Sequence, residues 1–154
     1  MKKIIDYYIY IDYSENLVGY NIIERKNLPL ILPKVIKFRH YKEERHKRTY
    51  LIKIRREIKN LDLDSLILKQ KIKPIKDNLL AFAEIVEFVK GHDNCGIFAS
   101  VDNNQFNAFT KLLGMILHKD NIIIVKESEL KKESAEYRLS LVIDTKLNLE
   151  RTSK

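Results

Sequence analysis

This chain of 154 residues has a single cysteine, no tryptophan, two methionines, three prolines and four glycines. A lone Cys95 forms no internal disulfide, and without a CxxC or a Cys/His cluster the zinc-finger spacing is missing. Cys95 therefore reads as a small core residue. So few Gly and Pro, with 45% hydrophobic and 32% charged residues, exclude a disordered chain and describe a globular one. No run approaches the ~20 apolar residues of a membrane span, and MKKIIDYYIY lacks the small-residue cleavage site of a secretory leader. We expect a cytoplasmic protein with no membrane association. GxxxxGK[ST], GxGxxG and GxSxG are absent, so P-loop hydrolysis, dinucleotide chemistry and serine esterase chemistry have no motif to rest on. The histidines, at 40, 46, 92 and 118, show no ligand spacing.

Positive charge is in excess. The formal net charge is +8 and the isoelectric point is near 9.4, a balance that concentrates polyanions at the surface. DNA or RNA is the expected partner. Abundant Lys, Ile and Glu with little Met and Cys suit a heat-loving organism, on composition alone. Much of the charge lies in one tract, with Lys37, Arg39, Lys42, Arg45, Lys47, Arg48, Lys53 and Arg55 interleaved by Phe38, Tyr41 and Tyr50. Lys and Arg neutralise phosphates and aromatic faces stack on bases, so these eight basic residues are the candidate nucleic-acid surface.

The length suits a single domain, 1–154. Ile4 to Asp12 carries β-branched and aromatic residues on both faces, as a buried central strand does. After the polar turn 13–16, Leu17 to Glu24 returns as the second strand of an antiparallel hairpin, where Gly19 permits close backbone approach. Val35 to Phe38 and Thr49 to Ile54 read as two further strands, giving a basic hairpin inserted around 34–56. Residues 56–71 fit neither period. After Pro74, Leu79, Phe82, Ala83, Val86 and Val89 recur at helical spacing until Gly91. Cys95 to Val101 is a short buried strand, followed by a helix with Phe106, Phe109, Leu113 and Ile116 on one face. Asn121 to Lys126 is another buried strand, and 134–150 carries both periods and is read as helix.

Two of these strands end in an aspartate, Asp12 and Asp102. Carboxylates held on rigid elements are what hard divalent cations require. Each aspartate has a plainer role open to it, Asp12 as a turn former and Asp102 as a helix cap.

The motifs IYIDYSENLVGYNII and FASVDNNQFNAFTKLLG resemble the opening hairpin and the fourth strand with its helix in the ribonuclease H-like superfamily, which includes ribonucleases H and RuvC-type resolvases. Asp12, Gly19 and Tyr20 stand where that family has its first catalytic aspartate and its Gly-aromatic pair. The resemblance implies an α/β fold with a mixed sheet, an N-terminal antiparallel hairpin and flanking helices. It also implies a site of Asp12, Asp102 and Asp144 holding Mg²⁺ or Mn²⁺ and cutting nucleic-acid phosphodiesters. The glutamate of the first helix in ribonucleases H falls at Leu79 or Leu80 here, so Asp77, Glu84 and Glu136 stand beside Asp144 as possible third acids. The same fold serves catalytically silent nucleic-acid-binding proteins, and a dimeric interaction protein is a further alternative.

Overall fold

Period-2 alternation along the first strand builds the molecule in three layers. The computed structural model describes residues 4–100, 107, 110, 111, 113, 114 and 122–153. The strands are β1 (Tyr7–Ser14), β2 (Leu17–Glu24), β3 (Lys69–Pro74), β4 (Cys95–Ala99) and β5 (Ile123–Lys126). They form one mixed sheet in the order β3-β2-β1-β4-β5. β1 is antiparallel to β2 and β2 to β3, whereas β1 and β4, and β4 and β5, run parallel. The expected central position of β1 is met. On one face Ile9 and Ile11 pack with Ile22, Ile97 and the helix α3 (Asn78–Lys90). On the other, Tyr8, Tyr10 and Phe98 pack beneath the last helix, α4 (Ala135–Arg151).

The segment between β2 and β3 is helical where a basic hairpin was expected. Residues 28–35 form a short helix α1 (Leu28–Ile31) and a 3-10 turn (Leu32–Val35), each with a proline in its first two positions, where a missing N–H costs nothing. Thr49 to Ile54 belongs to the helix α2 (Lys47–Ile58). Its buried residues, Tyr50, Leu51 and Ile54, have helical spacing, and Ile52, placed on the strand face with Tyr50 and Ile54 by alternation, is 53% exposed. Local β-branched content suggested strand, and packing against α4 decided for helix. Phe38 and Tyr50 are core residues, 2% and 8% exposed, so neither is free to stack on a base. In α3 the stop at Gly91 is observed, but Leu79 is 76% exposed and the buried face is Ala81, Ile85, Val86 and Val89.

The region 134–150 is helix, as read. Ser134 caps α4 by accepting the Tyr137 N–H (3.2 Å). Its own residues 139–145, with Leu147 and Asn148, are buried, so this helix packs as an internal layer. Gly19 is what lets α4 lie so low. A Cβ there would stand 2.9 Å from Leu147 Cδ2 and 3.1 Å from Ile143 Cδ1. The helix expected after Asp102 lies largely outside the described residues; those described at 107, 110, 111, 113 and 114 are helical, and Leu113 is buried. No helix among the described residues is long and apolar enough to cross a membrane.

Candidate functional site

Asp12 lies on the α4 face of β1, paired in register with Gly19. The close approach that Gly19 permits therefore acts beside it. Asp144 descends from α4, and the two carboxyls meet in hydrogen-bond contact, each residue 5% exposed. They line a cavity of ≈ 140 Å³ with His40, Tyr41, Ser100, Asn148 and Arg151. Backbone and hydroxyl donors fix both acids. Tyr13 N–H donates to Asp12 Oδ1 (2.7 Å), the Ser100 hydroxyl bonds the same carboxyl, and Tyr41 N–H donates to Asp144 Oδ2 (2.9 Å). Ser100 is placed by the parallel pairing, its N–H donating to Ile11 C=O (3.0 Å).

Burial pushes the Asp12 carboxyl up to about 8, and the negative charges of Asp144 and Glu127 add to the rise. Asp144 is raised too, first by burial, against the Tyr41 amide and the charge of His40. Two buried acids that resist ionising together share a proton, with Asp12 the donor.

Beside this pair stands a second, Glu127 and His40. Their Nε2 to Oε1 distance is 3.5 Å, and both side chains are largely buried. The hydrogen bond to Glu127 raises His40 to about 9 against its own burial, and the charges of Asp144 and Asp12 add to it. His40 Nδ1 is buried with no hydrogen-bond partner among the described residues. Neither residue was singled out from the sequence. Glu127 follows β5 directly, the same strand-end acid pattern that marked Asp12 and Asp102. His40 sits on an irregular turn, and only Tyr50 betrays its importance: the Tyr50 hydroxyl accepts the Arg39 N–H (2.7 Å), fixing the backbone next to His40.

The expected acids are thus dispersed unevenly. Asp12 and Asp144 come together, and Asp102 lies outside the described residues. Glu84 is on the opposite face of the sheet, held by the Tyr20 hydroxyl and by Lys73 (3.3 Å), and does not reach the cavity. Asp77 is half-buried at the N-cap of α3 and Glu136 lies two turns of α4 before Asp144, and neither lines the cavity. Among the described residues, no group of three or more His, Cys, Asp and Glu is placed to hold a metal ion.

The basic tract is divided in its roles. Arg39, Lys42, Arg45, Lys47, Arg48 and Lys53 are exposed along the 39–48 segment and α2. Lys42 lines the acid cavity, and Lys47 lies 5.9 Å from the centre of the Tyr41 ring. Two members serve the fold: Lys37 pairs with Glu57 (3.6 Å), and Arg55 donates to Leu149 C=O (3.2 Å) on α4 and to the hydroxyl of Thr152 (2.9 Å) at its C-cap. Arg151 was not in the expected set, yet it borders the cavity, donating to the Ser14 hydroxyl (3.0 Å) and Asn148 Oδ1 (2.9 Å). Fold and site define a mixed α/β protein with a buried carboxyl pair at the end of its central strand. Searched against known families and curated proteins, the chain matches no family model and no curated protein.

Proposed function

We propose that the protein is a divalent-metal-dependent nuclease of ribonuclease H-like architecture, acting on phosphodiester bonds of DNA or RNA. The observation that carries this reading is the meeting of the buried Asp12 and Asp144, from β1 and α4, in one cavity rimmed by Lys42, His40 and Arg151, the last paired with Glu15 (3.6 Å). The strand order β3-β2-β1-β4-β5, with β4 leading toward Asp102 beside β1, supports it. The donor chemistry fits Mg²⁺ or Mn²⁺: two hard-oxygen groups whose repulsion is now relieved by a proton would be relieved equally by a cation. Asp12 and Asp144 would hold it, with Asp102 as the third acid. Such an ion supplies charge that activates water and stabilises the leaving oxygen.

The chain's own groups do the rest. Tyr13 N–H, the Ser100 hydroxyl and Tyr41 N–H hold the two carboxyls in place without adjustment. His40, kept cationic by Glu127, and Lys42 and Arg151 at the rim draw a phosphate toward them. The exposed cations of α2 would grip the backbone without reading sequence.

A second reading, a nucleic-acid-binding protein without catalysis, is favoured by the absence of a three-acid group among the described residues. One experiment separates the two. Titration calorimetry with Mn²⁺ on wild type, Asp12→Asn and Asp144→Asn, followed by cutting assays on labelled duplex, hybrid and branched substrates, should show binding and cutting lost in both variants. A wild type that binds no Mn²⁺ and holds nucleic acid equally well in EDTA would sink the nuclease reading in favour of the second.

A further inference from the structure

His40 borders more than the acid cavity. It also lines a hollow of ≈ 280 Å³ beside Glu127 and a larger one of ≈ 570 Å³ between the 35–44 segment and the first turns of α4. The hollow of ≈ 570 Å³ lies within the roughly 300–1,000 Å³ of small-molecule sites. Its lining is mixed: the half-buried Tyr137, the buried Phe38 and Leu141 beneath it, and the cationic Arg39, Lys132 and Arg138. Arg39 is held in place, its Nη1 donating to Ile36 C=O (2.9 Å) and Phe38 C=O (3.0 Å). Arg138 is half-buried, and its guanidinium makes no hydrogen bond or ion pair among the described residues. A guanidinium left unpaired at the wall of a hollow is a group prepared for an anion.

We propose that this hollow is a nucleotide pocket: it takes one unpaired nucleotide of the substrate, phosphate toward Arg39 and Arg138 and base against the half-buried Tyr137 ring. The proposal rests on the nuclease reading and narrows its substrate to nucleic acid with an unpaired base next to the cut. A duplex keeps its bases stacked inside and offers a surface only its phosphates, so a concave hollow holding an aromatic ring is of no use to it. An unpaired base fills such a hollow, and stacking does not depend on its identity. Acidic groups face the hollow as well. Glu43 is neutralised by Lys132 (3.1 Å), and Glu44 and Glu133 are placed to accept from exocyclic amines, as a carboxylate does with cytosine N4.

The test is fluorescence anisotropy in EDTA, where the metal-dependent reaction is silent, with a labelled single-stranded hexanucleotide, its abasic analogue and a labelled duplex. Arg138→Gln should weaken the single strand about tenfold and the duplex by less than about twofold, with partial recovery in Arg138→Lys. The abasic strand should bind wild type about tenfold more weakly than the intact one. Equal losses on duplex and single strand, no loss, or an abasic strand held as tightly as the intact one would each overturn the pocket. A wild type that cuts nothing in Mn²⁺ while keeping the Arg138 dependence would instead overturn the nuclease reading and leave the pocket standing.

Discussion

At the scale of single residues, the acid pair costs the metal-free protein stability. Asp12 holds its proton more tightly folded than unfolded, with its value raised from 3.8 to about 8. The stability that proton contributes is complete below pH ~4 and is lost as pH rises through 8. His40, raised from 6.5 to about 9, works in the same direction over the window from 6.5 to 9. Urea midpoints in EDTA should therefore fall steadily between pH 4 and 9, and Mn²⁺ should flatten the decline above pH 6. Asp12→Asn removes one buried charge and should raise the metal-free Tm at pH 8, by roughly 2–4 °C for each kcal/mol gained. A midpoint independent of pH would show that the two carboxyls do not share a proton.

At the scale of elements, the site depends on how closely α4 can settle on the sheet, and Gly19 sets that distance. Gly19→Ala puts a methyl 2.9 Å from Leu147 Cδ2 and 3.0 Å from its Cγ, so the helix must lift or Leu147 must turn in a full core. A loss of about 1–3 kcal/mol is expected in urea unfolding, with weakened Mn²⁺ binding because Asp144 rides on the displaced helix. Unchanged affinity in a destabilised protein would separate the packing from the site. The sequence makes β1, β2 and α3 legible through strand-like runs and clear stops, whereas 134–150 carries both periods and becomes helix through its Ser134 cap and the burial of its middle. It misleads at 34–56, where β-branched residues at Thr49, Ile52 and Ile54 imitate a strand although Tyr50, Leu51, Ile54 and Ile58 follow a helix. Two of the acids could be read from strand ends and the last helix. Glu127 carries the same strand-end signal, directly after β5, whereas His40 has no such signal, because it sits before a short irregular turn whose position is fixed by partners far away in the chain.

At the scale of the whole molecule, a net charge of +8 coexists with an acidic cavity. A surface of that sign attracts polyanions from a distance, and under the proposed nuclease reading the cavity would admit a phosphate only with a cation to offset the acids. Reversing Arg45, Arg48 and Lys53 to Glu, three exposed positions on and before α2, should lower nucleic-acid affinity at least tenfold in 50 mM salt. It should also flatten the salt dependence and leave Mn²⁺ affinity unchanged. A steep, unaltered salt slope would place the nucleic acid elsewhere on the surface.

The cavity also draws its walls from β1, the turn at 40–41, Ser100 and α4, with Glu127 just behind, so no contiguous stretch of chain contains it. Contacts between residues so far apart in sequence form late and together. A chain still being synthesised, folded as far as β4, has Asp12 but neither Glu127 nor Asp144. If the proposed nuclease reading holds, the protein would thus be harmless to the messenger and the ribosome making it, armed only when its last helix closes over the sheet.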